Sequence, residues 1–349
     1  MTKGIFRPLA VLALGAVLCL LPAGCQTPPQ GAETTVFAMD TVMRLTAYGA
    51  GGQQAIDQGV EQLYALEAKL SVTRQDSFLS ALNQAGPQGA QAPDQETLDL
   101  LSDALDLCAL TGGALDITAY PAVRAWGFTT GEYRVPDREE LEQLAGKIDY
   151  TAVEVDRTAN RAALPQGMEL DLGAVAKGCA GDRLSALFRQ AGVTSALLDL
   201  GQSTIQAVGA RPDGSPWRIG IQDPWGEGYL GVLELTDRAM GTSGGYQRYF
   251  EQDGQRYWHI IDPDTAAPAR TGLASVTVIG PSGLVCDGLS TALFVMGAEE
   301  GTRFWRDHPE LDIEVLFMTD EGELLLTPGL EGAFSLAQSY EDWGVTVLS

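Results

Sequence analysis

The residues best suited to chemistry fall in short segments where polar groups interrupt apolar sequence beside small residues. In Asp287-Gly288-Leu289-Ser290-Thr291 a carboxylate and two hydroxyls sit at i, i+3 and i+4, which share one face if the segment opens a helix. One carboxylate with hydroxyl or carbonyl oxygens suits Mg²⁺, a hard ion that keeps waters and draws further ligands from substrate phosphates. The same residues also read as an N-cap Asp followed by solvated hydroxyls. In Asp171-Leu172-Gly173-Ala174-Val175-Ala176-Lys177-Gly178, Glu169 and Asp171 alternate with apolar residues at a strand end, and Lys177 follows in the first turn of a helix. Amides at a helix start favour phosphate, and a lysine adds a point charge. A structural Lys177–Asp171 pair is the competing reading. The G-x-x-x-x-G-K-S/T spacing of a P-loop is absent.

His259 opens the apolar segment His259-Ile260-Ile261-Asp262-Pro263 and is one of two histidines. A lone histidine in such a setting is often structural, yet its ordinary pKa suits proton transfer near neutrality. A further segment runs Gly112-Gly113-Ala114-Leu115-Asp116-Ile117-Thr118, with Trp126-Gly127-Phe128 beyond it. Gly241-Thr242-Ser243-Gly244-Gly245 matches the G-x-S-x-G nucleophile elbow, which needs a strand, a sharp turn and a helix. The strand-like Tyr246-Gln247-Arg248-Tyr249-Phe250 follows instead, so a serine hydrolase is set aside. Cys108, Cys179 and Cys286 lack paired spacing and read as buried free thiols rather than disulfides or a zinc site.

The elements that must position these groups follow from periodicity. Residues 34–48 alternate as a strand, 53–70 carry apolar residues at helical spacing, and 94–110 forms a second helix stopped by Gly112-Gly113. Asp137 with Glu140 resembles a capping box, and 174–190 is helical. Strand signals dominate afterwards, at 196–208, 217–222, 230–236, 246–251, 256–261 and 274–280. Helices at 287–297 and 299–307 and strands at 313–319 and 323–327 complete the chain. Regular βαβ alternation is missing, so the fold class is α+β with a largely antiparallel sheet.

The 349 residues are 45% hydrophobic, ample for a packed core. A net charge of −24 excludes nucleic acid as a partner and repels anionic ligands unless a cation or lysine neutralises them. Lys3 and Arg7 precede an apolar run from Leu9 to Leu21, too short to span a membrane, that ends in Leu21-Pro22-Ala23-Gly24-Cys25. Small residues before a cysteine resemble a lipobox. Residues 1–25 are therefore expected to be a lipoprotein signal, with lipidated Cys25 anchoring the chain to the membrane on its extracytoplasmic side. Residues 26–33 read as a tether and 34–349 as one domain.

In order, the chain shows Met39-Asp40-Thr41, Ala114-Leu115-Asp116-Ile117-Thr118, Asp171 to Gly178, Thr242-Ser243-Gly244-Gly245-Tyr246-Gln247-Arg248, His259 to Pro263, and Asp287 to Thr291. This series resembles the ApbE family, FAD:protein FMN transferases. The resemblance implies a T-fold-like architecture with FAD as substrate in a cleft and Mg²⁺ at its pyrophosphate. It implies metal ligands at Ala174 (through its carbonyl), Asp287, Ser290 and Thr291. FAD contacts would come from Met39, Ala114, Leu115, Asp116, Asp171, Lys177 and Ile261, with His259 as the base. FMN would pass to a Thr or Ser of an acceptor flavoprotein with an FMN-binding domain, a redox-chain subunit by family analogy. FAD hydrolysis to FMN and AMP, or flavin binding without catalysis, are the rival activities. Asp40 and Ala266 stand where the family pattern has glycine.

Overall fold

The computed structural model describes residues 31–349. The expected signal, the expected anchor at Cys25 and residues 26–30 of the expected tether lie outside the described residues. One nine-stranded sheet organises the fold. Its strands are β1 (Gly31–Ala38), β2 (Thr41–Tyr48), β3 (Ser195–Asp199), β4 (Thr204–Val208), β5 (Ala239–Gly244), β6 (Leu273–Gly280), β7 (Glu314–Thr319), β8 (Leu324–Leu326) and β9 (Val345–Val347). They lie side by side in chain order, every neighbouring pair antiparallel except β8 with β9. The helices are α1 (Gly52–Leu70), α2 (Phe78–Ala85), α3 (Gln95–Leu110), α4 (Tyr120–Ala125), α5 (Arg138–Ala145), α6 (Ala176–Gln190) and α7 (Gly283–Asp307). The expected α+β class with an antiparallel sheet is what forms.

The segment expected as one strand over 34–48 is a hairpin that begins at Gly31, inside the stretch read as a tether. Met39 and Asp40 both take left-handed backbone (φ 51° and 61°), which makes a two-residue turn whose twist matches the flanking strands. The 196–208 segment likewise splits into β3 and β4 at Gly201-Gln202 (φ 99° and 66°), where the Asp199 carboxylate accepts from both amides. Met39 and Gln202 are unusual at such left-handed positions, and the alternation on either side outweighed the turn signals of Asp40 and Gly201.

The helix expected to begin near Asp287 starts a turn earlier, capped by Ser282, and continues to Asp307 across a break at Gly297. Asp287 is therefore inside the helix rather than its N-cap. β5 was missed because its residues are small. A Cβ on Gly241 would lie 2.5 Å from the Cys286 carbonyl oxygen, so α7 crosses this strand in backbone contact. The strand expected at 246–251 is shorter, Tyr249–Gln252, and pairs with Gln255–Trp258.

Helices α1, α6 and α7 cover one sheet face, burying Phe188, Phe294, Leu45 and Met43 between the layers. The other face packs against a three-stranded sheet of residues 217–222, 229–235 and 334–336. A small aromatic lobe holds Trp126 and Phe128 against Phe250 and Tyr257. α6 and α7 touch backbone to backbone. A Cβ on Gly178 would lie 2.0 Å from the Gly283 carbonyl oxygen, and one on Gly283 would lie 2.5 Å from that of Gly178. That close crossing seats Asp287 against the first turn of α6.

Candidate active site

A cleft of about 580 Å³ opens where the β1–β2 and β3–β4 turns, the end of β5 and the starts of α6 and α7 converge. Met39, Ala114, Leu115 and Asp116 line it, as do Asp171, Ala174 and Lys177. His259, Ile261, Asp287 and Thr291 complete the set expected from sequence. Ser290 stands apart: it is fully buried and does not line the cleft. A larger groove between α3 and α6 holds none of these residues and is lined by Glu96, Asp99, Asp103 and Asp106, which would repel an anionic ligand.

Asp287 is the anchor. Its Oδ2 accepts from the Gly178 amide at 3.0 Å and its Oδ1 from the Thr204 hydroxyl at 2.9 Å, with Lys177 Nζ at 3.8 Å from Oδ1. Burial pushes this carboxyl above its ordinary range, while Lys177 pulls the other way. Lys177 thus pairs with Asp287, and the alternative Lys177–Asp171 pair does not form. Asp171 accepts from the Gly173 amide at 2.9 Å instead, and burial raises its carboxyl too.

The hydroxyls form a directed chain. Ser290 donates to the Asp287 carbonyl at 2.8 Å, which uses its single proton. Ser243 Oγ lies 2.9 Å from Ser290 Oγ and 3.1 Å from Thr291 Oγ1. Ser243 must then donate to Ser290 and receive from Thr291, leaving the Thr291 lone pairs to face the cleft. Ser290, expected among the metal ligands, is buried behind Ser243 and Thr291 and does not line the cleft, so it meets the site through this relay. Ser243 and Thr204 were not singled out. Ser243 lay in a segment weighed for the wrong chemistry, and Thr204 sits unmarked in an apolar strand.

These oxygens fit Mg²⁺ held jointly with a ligand. Among the described residues, no group of three or more His, Cys, Asp or Glu side chains could cage a metal. One buried carboxylate, the Thr291 hydroxyl and the Ala174 backbone offer hard donors and leave other positions for water and phosphate.

Asp116 is committed to structure. Its Oδ1 accepts from the Thr118 amide and hydroxyl at 2.8 and 2.7 Å, and its Oδ2 from the Tyr150 amide at 2.9 Å. It shapes the cleft wall. His259 Nδ1 lies 3.2 Å from the Arg248 carbonyl oxygen, which can only accept, so Nδ1 carries the proton and Nε2 is left as the basic nitrogen. Burial, then the nearby Arg248 charge, pulls its pKa down to about 4, so the ring is neutral at physiological pH. Phe128 packs edge-on against it, centroids 6.3 Å apart. Arg248 also pairs with Asp40 at 3.3 Å across the cleft mouth and donates to the Phe128 carbonyl at 3.1 Å.

A family model described as the ApbE family matches residues 39–317. The chain belongs to the ApbE family. The FAD:protein FMN transferase of Vibrio cholerae is 33% identical over 324 residues, 89% of this chain and 94% of its own length. That of Treponema pallidum is 32% identical over 331 residues, covering 87% and 90%. Among solved structures, the ApbE protein of Thermotoga maritima matches with a TM-score of 0.79 at 30% identity, over 89% of this chain and 98% of its own. The flavin transferase ApbE of Vibrio cholerae matches at 0.77 and 30% identity, over 88% and 100%. With this membership the chain is a transferase. The family's glycine positions at 40 and 266 gain a physical reason here. Both residues hold left-handed backbone (φ 61° and 53°), which Asp tolerates readily and Ala at some cost.

Proposed function

We propose that the chain moves the FMN half of FAD onto a Thr or Ser hydroxyl of an extracytoplasmic flavoprotein, releasing AMP, and that Mg²⁺ beside Asp287 is required. The observation that carries this reading is the meeting of Asp287, Lys177 and the Thr291 lone pairs in the cleft that also holds a neutral, correctly protonated His259. A divalent cation bound there would offset charge on the pyrophosphate as the P–O–P bond breaks. Asp287, Thr291 and the Ala174 carbonyl would hold it. Lys177 supplies a fixed positive charge to the same phosphates. His259 Nε2 takes the proton of the acceptor hydroxyl, whose oxygen bonds to the FMN phosphorus while AMP leaves with the bridging oxygen. Met39, Ala114, Leu115 and Ile261 supply walls for the flavin and adenine portions.

The test is co-expression with FMN-binding flavoproteins followed by mass spectrometry of the acceptor. A covalent FMN adduct with equimolar AMP is expected. AMP release with no adduct at saturating acceptor would make the protein an FAD pyrophosphatase, and prolonged retention of intact FAD would make it a flavin carrier.

The anchoring belongs to the same proposal. No described helix is long and apolar enough to cross a membrane. Lipid on Cys25 is the proposed attachment, and Cys25→Ser is expected to move the protein from the membrane fraction to the soluble one. Unchanged membrane partition of that variant would refute it.

A further inference from the structure

The first strand of the sheet is an open edge that runs directly to the cleft. Among the described residues β1 pairs with β2 alone, without a bulge, from Gly31↔Tyr48 to Ala38↔Thr41. The two-residue turn makes Ala38 and Thr41 a hydrogen-bonded pair, so the backbone groups of Thr34, Val36 and Ala38 point at β2. Those of Glu33, Thr35 and Phe37 point outward and have no backbone partner among the described residues. Sheet edges are ordinarily blunted by proline, lysine, a bulge or a covering segment. Glu33-Thr34-Thr35-Val36-Phe37 carries no proline, lysine or bulge, and its one charge, Glu33, lies at the end away from the cleft beside Arg44. Phe37 is 63% exposed beside its direct cross-strand neighbour Val42, itself 59% exposed. The turn between them, Met39-Asp40, lines the cleft.

We propose that this edge is where the acceptor protein docks. An extended segment of the acceptor adds to the sheet along residues 33–37 and lays an apolar side chain on Phe37 and Val42. The inference rests on the reading above that the acceptor is a protein. What selects this occupant is continuity: a strand added to β1 finishes at the cleft rim. Extended chain advances about 3.3 Å per residue, so a hydroxyl two or three residues past the pairing travels roughly 7–10 Å into the cleft. Backbone pairing is indifferent to most side chains, while the Phe37–Val42 pair asks for one apolar residue at a fixed offset from the modified Thr or Ser.

The probe is the acceptor protein that acquires FMN in the co-expression experiment, and the first readout is residue-resolved amide exchange of the FAD-loaded full chain. Acceptor is expected to slow exchange at Glu33, Thr35 and Phe37 by about tenfold or more, with Thr34 and Val36 unchanged because β2 already protects them. Thr35→Pro removes an outward N–H without touching the β1–β2 ladder, and Phe37→Lys places a charge at the tip. Each is expected to raise the acceptor KM about tenfold, while FAD affinity by flavin fluorescence and the thermal midpoint stay at wild type. Unchanged acceptor KM in both variants overturns the proposal. So does protection of the three amides in the free protein, which would mean that a second copy or residues 1–30 already cover the edge. FAD cleavage with no adduct on any acceptor overturns the functional reading itself, and the docking site with it.

Discussion

At the scale of residues, the site works through protons that are already placed. The Thr291–Ser243–Ser290 relay ends on a backbone carbonyl, so the direction of each hydroxyl is fixed before any ligand arrives. Ser243→Ala removes the acceptor for Thr291, and metal affinity is expected to fall about tenfold or more while FAD-free stability changes little; Mg²⁺ dependence of turnover measures it. His259 gives a second expectation. Burial and Arg248 depress its pKa to about 4, so as the pH falls the base is lost near 4 rather than near its ordinary value. The acid limb of kcat/KM, which reports the free enzyme, is expected there. Arg248→Met removes one lowering cause, leaving burial, the largest, and the Lys177 charge, and should move the limb upward without bringing it to the ordinary value. A limb that stays put would show that His259 is not the titrating base. The sequence displayed Asp287, Thr291, Lys177 and His259 because their polarity broke apolar surroundings. It hid Ser243 and Thr204, since a hydroxyl in a strand reads the same whether it faces solvent or completes a relay.

At the scale of elements, two helices in backbone contact set the distance between cation site and lysine. Gly178→Ala would push its Cβ onto the Gly283 carbonyl, 2.0 Å away, and onto the Asp287 Cβ, 2.8 Å away. The helices must separate, which is expected to cost about 3 kcal/mol and to impair turnover even in molecules that remain folded. Chemical denaturation with parallel activity measurement checks both; a variant as stable as wild type would mean that the crossing tolerates a methyl group. Long periodic elements were legible: α1, α3 and α6 lie within two residues of their expected bounds. β5 was not, because the close approach of α7 demands Gly241 and the strand is otherwise mostly small residues, with Thr242 its one β-branched side chain. The β1–β2 reversal was hidden because Met39 is an unusual occupant of a left-handed turn position, and at the β3–β4 reversal the apolar alternation on both sides masked the turn that Gly201 marks.

At the scale of the whole molecule, a chain of net charge −24 must bind a dianionic pyrophosphate. The fold meets this by gathering Lys177 and Arg248 into one cleft and leaving the larger acidic groove elsewhere. Composition foretold the need for a neutralising group, and motif order foretold the family, but neither could show that segments more than a hundred residues apart close on one another. That closure is the claim on which the account depends. The most direct test is the Mg²⁺ titration of FMN transfer by wild type and Asp287→Asn, in which the amide can still bond Gly178 and Thr204 while its charge is lost. Saturable Mg²⁺ dependence in the wild type and a loss of about a hundredfold or more in the variant, at matched thermal stability, is the expected result. Transfer by Asp287→Asn at the wild-type rate and Mg²⁺ dependence would contradict it.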